Sequence, residues 1–236
     1  MVLSNQGNLL RLRQTVPDDA PILLRAYQDE SFIRLYRSNN AQQTEEQLRK
    51  ILSDRLEGEP TQLGHVEFMI EHKRHGPVGV ALLGDYTVVH QRAEFLIGLF
   101  DESRRSIGYG TEATLLMLEL AFNFYKLHKV YTYVYDYNES SEKSTLKIGF
   151  KQEGLLEDHH YLLGEKRFVS LYINGMTEAR FRSCEPIRRY SLRLLGRDVT
   201  QVPQLVKISQ ENQLPVEEGK KFLEALRAGT VNFSDG

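Results

Sequence analysis

The pattern of apolar and polar residues predicts that the chain begins with a strand followed by two helices. Residues 9–16 alternate leucine with arginine, as a half-buried strand does, and residues 17–29 begin with proline and aspartate, which favour a helix start. Residues 43–58 place leucines along one helical face, after a capping box formed by Thr44 and Gln47.

The middle of the chain predicts three strands and then a buried helix. Residues 65–71 and 78–84 are separated by a polar turn with Gly-Pro, which is typical of neighbouring strands. Residues 92–100 are mostly apolar on both faces, so we expect a central strand there. Apolar residues then recur at helical spacing over almost the whole surface of the next segment, which favours a helix packed on a sheet.

Three further elements complete the predicted sheet. Residues 129–136 are β-branched and aromatic, as in a strand, and residues 138–150 predict a short helix capped by Ser140 or Ser141. Residues 156–175 predict a pair of strands. Strands and helices in this order indicate an α/β fold, with a mixed sheet flanked by helices.

The end of the chain differs in character from the rest. Residues 179–197 contain six arginines and one glutamate, and residues 203–229 have the pattern of two helices. We therefore predict a domain over residues 1–178 and a basic, helical extension over residues 179–236.

Composition excludes several classes of protein. The net charge of −2 argues against general nucleic-acid binding, which needs a broad excess of lysine and arginine. A single cysteine, Cys184, excludes an internal disulfide and a cysteine-rich zinc site, and we predict no metal. We find no apolar run long enough to span a membrane and no signal peptide, so we expect a cytoplasmic protein with no membrane partner.

Two glycines at the start of the buried helix predict a phosphate-binding turn. Gly108 and Gly110 follow Arg104 and Arg105 and precede the helix. Backbone amides at a helix N-terminus bind anions, glycine allows a phosphate to approach closely, and arginine adds charge-assisted donors. A tight turn without a ligand is the alternative interpretation.

Two nucleotide-binding motifs fit this turn poorly. The P-loop string G-x-x-x-x-G-K-[ST] does not occur in the chain. Gly108, Gly110 and Ala113 match the dinucleotide string G-x-G-x-x-A, with Asp136 as the acid that would hold a ribose. However, the segment DESRRSI separates the strand from the first glycine, and antiparallel strands are predicted before it.

The same turn resembles the pyrophosphate loop of the GNAT acetyltransferases. The resemblance rests on the spacing Arg105-x-x-Gly108-x-Gly110 after the strand EFLIGLF, and on TEA, AF, LHK, Asn138 and GFKQEG in order. It extends over residues 9–175 and is similar to the branch that acetylates the N-termini of ribosomal proteins. It implies the GNAT fold with a C-terminal helical appendage, and an acetyl group donated by acetyl-coenzyme A.

The resemblance also implies which residues hold the donor. The central strand would part from its neighbour, and its backbone at Gly98, Leu99 and Phe100 would pair with pantetheine. Asn138 would contact the donor or the loop beside it. The pyrophosphate would lie on the amides of Arg105, Ser106, Ile107, Gly108, Tyr109 and Gly110.

The implied chemistry is direct attack of an amine on the thioester. Glu94 is the candidate base, with a solvent-facing structural acid as the alternative. Many relatives carry a tyrosine acid at the position of Thr145, and this departure leaves the acid open. Ser141 on the same helix can donate a proton or hold a water, although helix capping is its other role.

Two functions therefore compete. The first is an N-acetyltransferase acting on a primary amine, either a small molecule or a peptide N-terminus. The second is a regulatory or scaffolding module that binds acetyl-coenzyme A, with arginines of the extension contacting RNA or a protein partner. A homodimer is compatible with both. Tyr131, Tyr133 and Tyr135 share one strand face, and we expect them to pack under a helix rather than to bind substrate.

Overall fold

One mixed sheet with helices on both faces forms the described part of the protein. The structure, a computed structural model, describes residues 4–36, 43–58, 64–101, 108–162 and 164–202. The α/β fold and the mixed sheet predicted from the sequence are confirmed.

Eight strands and seven α-helices are described within those ranges. The strands are β1 (Ser4–Gln6), β2 (Leu10–Gln14), β3 (Val66–His72), β4 (Gly76–Thr87), β5 (Arg92–Leu99), β6 (Lys129–Tyr135), β7 (Lys151–Leu162) and β8 (Arg167–Thr177). The helices are α1 (Ala20–Gln28), α2 (Glu30–Ile33), α3 (Glu45–Glu57), α4 (Tyr109–Glu119), α5 (Glu139–Ile148), α6 (Glu178–Ser183) and α7 (Glu185–Leu195).

The centre of the sheet contains its one parallel pair among the described strands. The strand order is β1-β2-β3-β4-β5-β6-β8-β7, and β5 and β6 run parallel while the other neighbours are antiparallel. Helix α4 provides the crossover between β5 and β6, as a parallel connection requires.

The parallel pair is short. Only three residue pairs are in register, and the last of them joins Glu94 to Tyr131. Strand β5 continues to Leu99 along β4, and β6 continues to Tyr135 along β8. The two strands therefore separate after Glu94, and among the described strands none pairs with the backbone edges that face each other beyond this point.

The two faces of the sheet carry different helices. Ala93 and Phe95 of β5 lie in the larger apolar core together with residues of α4 and α7. Leu96 and Phe100 pack on a second cluster that α1, α2 and α3 build with Met69 and Val80. Because alternate strand residues point to opposite faces, every position of β5 is assigned to one of these two sides.

Helix α4 is buried deeply enough that its two carboxylates need partners inside the protein. Glu112 accepts hydrogen bonds from the backbone amides of Leu9 and Leu10, at 2.9 and 3.0 Å. Glu119 is fully buried and binds both the side chain of Asn5 and the guanidinium of Arg197. These contacts tie the start of the chain and the segment after α7 to the same helix.

The described part of the arginine-rich segment packs on the sheet domain. Phe181, Ile187 and Leu195 lie in the larger apolar core, so α6 and α7 share that core with α4. Arg182 donates to the side chain of Asn123 and to the carbonyl oxygens of Phe122 and Thr200. Two of the six arginines, Arg182 and Arg197, therefore act as internal hydrogen-bond donors.

The structure confirms one of the predicted helix caps and corrects another. The capping box of Thr44 and Gln47 is confirmed at the start of α3. The cap predicted for α5 was wrong: Asn138 caps this helix, with its side chain accepting from the amide of Ser141, because an asparagine oxygen reaches that amide readily. Strand β7 begins at Lys151 rather than residue 156, and the helices predicted over residues 203–229 lie outside the described residues.

The described helices do not meet the requirements of a membrane span. None of them is both long enough and apolar enough to cross a bilayer.

A third buried carboxylate anchors α5 to the sheet. Glu142 accepts a hydrogen bond of 2.7 Å from the side chain of Asn174 on β8. The other oxygen of Glu142 and the amide oxygen of Asn174 are buried without a donor in the described part of the protein. Burial raises the pKa of the Glu142 carboxyl, and the hydrogen bond from Asn174 opposes this effect.

Arg197→Ala should destabilise the protein strongly, because it leaves the buried carboxylate of Glu119 without its cation. We expect a loss of about 3–5 kcal/mol in the free energy of unfolding, measured by urea denaturation. Arg193→Ala, which removes an exposed arginine of α7, is the control and should change that value by about 0.5 kcal/mol or less. Equal effects of the two substitutions would contradict a structural role for Arg197.

Glu142→Gln should stabilise the protein relative to the wild type, by an amount that increases as the pH rises. Because the folded-state pKa of Glu142 is raised, its contribution to stability is present below the ordinary carboxyl pKa and is lost as pH increases through the folded-state pKa. Glutamine keeps the bond with Asn174 and does not ionise. The difference in melting temperature between variant and wild type should therefore be larger at pH 8 than at pH 4; a difference independent of pH would contradict this assignment.

Candidate active site

The separation of β5 and β6 opens a cavity through the centre of the sheet. Its volume is about 430 Å³, within the usual range for small-molecule sites. Residues 95–99 of β5 and 132–135 of β6 form its two sides, and the N-terminal turns of α4 and α5 border one end. The cavity starts where the register between the two strands stops.

The N-terminus of α4 gives this end of the cavity an anion-binding character. Gly108 lies before the helix with a φ of +91°, a backbone conformation that favours glycine. The amides of Tyr109, Gly110 and Thr111 belong to the first turn, where a helix offers them no carbonyl partner. A Cβ atom at Gly108 or at Gly110 would have no neighbour within 4 Å among the described residues.

Helix α5 supplies hydroxyl groups on the adjoining wall. Asn138, Ser141, Ser144 and Thr145 all line the cavity. The side chain of Asn138 accepts from the amide of Ser141 and thereby fixes the first turn of the helix. Ser141 and Thr145 are one turn apart, and their hydroxyls can donate hydrogen bonds to a group held between the strands.

Gly98 lets the backbone of β5 lie close to two aromatic residues from the segment of α2. An added Cβ atom there would lie 2.6 Å from the ring of Phe32 and 2.8 Å from the ring of Tyr36. Both rings line the cavity, as do Gly98 and Leu99. The absence of a side chain thus lets two aromatic rings lie directly on the backbone of the parted strand.

Glu94 lies where the pairing of β5 and β6 ends, a point that we call the apex of the gap, and is not part of the cavity wall. It forms the last registered pair with Tyr131. Opposite Glu94, strand β4 has an irregularity between Gly84 and Thr87, and the backbone φ of Asp85 there is +45°. Asp85 accepts a hydrogen bond from the hydroxyl of Tyr131. Glu94 is half-buried and lies on the same face of β5 as Gly98.

Two of the remaining residues that were predicted to hold the donor, Tyr109 and Phe100, are described by the structure. The ring of Tyr109 is buried 5.4 Å from the ring of His72, so only the backbone of Tyr109 is placed at the helix start. Phe100 packs against Phe32 with ring centroids 5.7 Å apart and does not line the cavity. Arg105, Ser106 and Ile107 lie outside the described residues.

An aromatic wall was missed by the sequence reasoning. Tyr133 and Tyr135, which we expected to pack under a helix, instead line the cavity, whereas Tyr131 is bonded to Asp85. The period-two spacing of these tyrosines correctly placed them on one face, but it carries no information about what covers that face. Phe32 and Tyr36 carried no signal in the sequence, because only the packing of α2 on Gly98 brings them to the cavity.

Neither Cys184 nor His159 is among the residues that line the cavity. The sulfur of Cys184 is 3.5 Å from the carbonyl oxygen of Ile148, and His159 is exposed on β7. The described residues contain no group of three histidine, cysteine or acidic side chains arranged to hold a metal ion.

The arrangement suits an elongated ligand with an anionic end and an amide-containing arm. Anionic groups are favoured at the α4 N-terminus, where amides and the helix dipole point outward. An extended arm can pair with the free edge of β5, as a peptide does when it adds to a sheet. A reactive group at its end would lie between the strands, beside the hydroxyls of α5.

Comparison with known proteins identifies the family. The family model "Acetyltransferase (GNAT) domain" matches residues 10–151, more than half of the chain. The chain is 25% identical over 165 residues to a protein of Bacillus subtilis named "Uncharacterized N-acetyltransferase YoaA", and the match covers 69% of this chain and 91% of the relative.

Solved structures show the same fold. An acetyltransferase from T. thermophilus is 24% identical, with a TM-score of 0.64 over 81% of this chain and 96% of its own. The spermidine N-acetyltransferase of Vibrio cholerae, solved with CoA and spermine, is 17% identical, with a TM-score of 0.65 over 73% of this chain and 97% of its own.

The fold, the parted central strands and the family match together lead to one conclusion. GNAT acetyltransferases take their acetyl group from acetyl-coenzyme A, and the cavity between β5 and β6 has the polar end and free strand edge suited to such a donor. The chain belongs to the GNAT family of N-acetyltransferases.

Proposed function

We propose that this enzyme transfers the acetyl group of acetyl-coenzyme A to a primary amine by direct attack on the thioester, in the cavity between β5 and β6. The observation that carries the proposal is the loss of register after Glu94, because it frees the β5 edge beside the glycines of α4. Gly98 and Leu99, which line the cavity, would pair with the pantetheine arm, whereas the amide of Phe100 is bonded to the carbonyl oxygen of Val78. The amides from Arg105 to Gly110 would hold the diphosphate, and Asn138 would fix the adjoining turn of α5.

Acetyl-coenzyme A supplies the activated acyl carbon, and the protein supplies orientation and proton transfer. A carbon–nitrogen bond forms, the carbon–sulfur bond breaks, the amine loses a proton and the thiolate gains one. Backbone amides of β5 that face the gap can donate to the developing oxyanion. No covalent intermediate on the protein is needed, which agrees with the finding that Cys184 does not line the cavity.

Glu94 is our candidate for the group that takes the proton of the amine. It lies four residues before Gly98 on the same face of β5, about 13 Å along the strand, so it acts on an amine bound at the apex or through a water. Ser141 and Thr145 are the candidates for protonating the thiolate, because both residues line the cavity.

The acceptor, the assembly and the role of the extension remain predictions. The acceptor is a small-molecule amine or a peptide N-terminus, as in the branch that acetylates ribosomal proteins. The spermidine enzyme of Vibrio cholerae supports including polyamines among the amines tested. A dodecameric form of that enzyme supports testing for a multimer, including a homodimer. The division at residues 178 and 179 is kept as a prediction.

A regulatory module that binds acetyl-coenzyme A without turnover is the alternative function, and Thr145 at the acid position motivates it. An assay with acetyl-coenzyme A and a panel of amines separates the two. Thiol release that depends on an amine supports the enzyme, while tight binding without release supports the module. RNA binding through the extension would appear as a complex that is lost as salt increases.

Gly110→Val should weaken acetyl-coenzyme A binding about tenfold or more, because its side chain enters the space that the diphosphate needs. Calorimetric titration of the folded variant measures this. Gly108→Val is a poorer test, because a residue with a side chain is strained at a φ of +91° whether or not a ligand binds.

Gly164→Val is the matched control for Gly110→Val. Gly164 also has no described atom within 4 Å of an added Cβ, and it lies outside the cavity. It should bind acetyl-coenzyme A as the wild type does. Unchanged affinity in Gly110→Val would remove the diphosphate from the start of α4.

Glu94→Gln should lower kcat with little change in acetyl-coenzyme A affinity, because glutamine cannot accept the proton of the amine. General base catalysis typically contributes about 10²–10⁴ in rate. The rate of thiol release should be measured across pH, together with the calorimetric affinity. Identical rate profiles in variant and wild type would assign Glu94 to structure alone.

A further inference from the structure

The half of the cavity on the α1–α3 side has aromatic walls that the reaction described above does not use. Glu94 and Tyr131 are in register, so their side chains lie on the same face of the sheet. Two and four residues further along β6, Tyr133 and Tyr135 therefore share that face with Gly98. Both line the cavity.

The opposite wall of this half is also aromatic. Phe32 and Tyr36 lie against Gly98, and their ring centroids are 4.9 Å apart. Leu35 of the same segment and Leu96 of β5 complete the wall. We call the space between Phe32 and Tyr36 on one side and Tyr133 and Tyr135 on the other the aromatic slot.

Neighbouring rings hold the walls of the aromatic slot in place. Tyr135 stacks on Tyr137 with centroids 5.0 Å apart and an angle of 10° between planes. Tyr133 contacts Tyr131 edge to face at 5.6 Å, and Phe32 also packs on Phe100. Rings fixed by packing bind a flat group without first losing conformational freedom.

The two halves of the cavity thus offer different chemistry. The half beside α4 and α5 presents glycines, amides and hydroxyls, which suit the anionic donor. The aromatic slot presents aromatic and aliphatic side chains on the other side of the same gap. Offset or edge-to-face contacts between aromatic rings stabilise a complex beyond the area that they bury.

We propose that the aromatic slot binds the acceptor, and that the acceptor is a primary monoamine whose nitrogen lies within a few bonds of an aromatic ring. The ring of the acceptor lies between the two walls, and its amine reaches the gap near the parted strands. This inference rests on the proposed function. Both a free arylalkylamine and a peptide with an N-terminal phenylalanine have this chemistry.

Binding can be measured without turnover by using coenzyme A in place of the acetylated donor. Calorimetry on the coenzyme A complex should show 2-phenylethylamine binding about tenfold tighter than butylamine. Spermidine should bind more weakly than 2-phenylethylamine. The peptide Phe-Gly-Gly, compared with Ala-Gly-Gly, shows whether the aromatic amine is taken free or at a peptide N-terminus. Equal binding of 2-phenylethylamine and butylamine, or tighter binding of spermidine, would overturn the proposal.

Variants of Tyr133 test whether its ring confers the preference. Tyr133→Ala should abolish the preference for 2-phenylethylamine over butylamine, and Tyr133→Phe should keep it. Coenzyme A affinity reports that each variant is folded. Phe168→Ala, which removes an exposed ring outside the cavity, is the control and should bind all probes as the wild type does. A preference that survives Tyr133→Ala would contradict the proposal.

The acetyl-transfer assay separates this inference from the proposed function. Aromatic amines that bind to the slot but are never acetylated would support the slot and overturn the transferase assignment. Amines that are acetylated without any preference for an aromatic ring would support the transferase assignment and overturn the slot as the acceptor site.

Discussion

The end of pairing between β5 and β6 is the constraint on which the rest of the structure depends. Two parallel strands stay together for three residue pairs and then separate, each held by its antiparallel neighbour on the other side. Backbone edges of a central strand are normally paired, so their exposure requires strong support from the flanking strands. Helix α4 supports the parted strands further, because it is buried on one face of the sheet and its two carboxylates bind partners inside the protein.

The separation also divides the site into two chemically different halves. Alternation along a strand sends Thr132 and Val134 to the face of α4, and sends Tyr133 and Tyr135 to the face of α1–α3. One continuous cavity thereby combines an amide-rich end for a charged donor with an aromatic end. An acyl group held at the gap between them would lie beside the aromatic half, where an acceptor could approach it directly.

Local signals in the sequence were sufficient for most elements and for the glycines that begin α4. Gly108 and Gly110 open this helix as expected, and the capping box of Thr44 and Gln47 was predictable because both partners lie within one helical turn. The aromatic walls could not be predicted in this way. Phe32 reaches Gly98 from a distant part of the sequence, and only the assembled sheet shows which face of β6 the first helices leave uncovered.

The most direct test of the account is a titration of the isotopically labelled protein with acetyl-coenzyme A, followed by the backbone amide resonances. The account predicts the largest shifts at Gly98, Gly108 and Gly110, with Gly164 unchanged. Saturable binding that leaves the glycines of β5 and α4 unperturbed, or no binding at all, would contradict it.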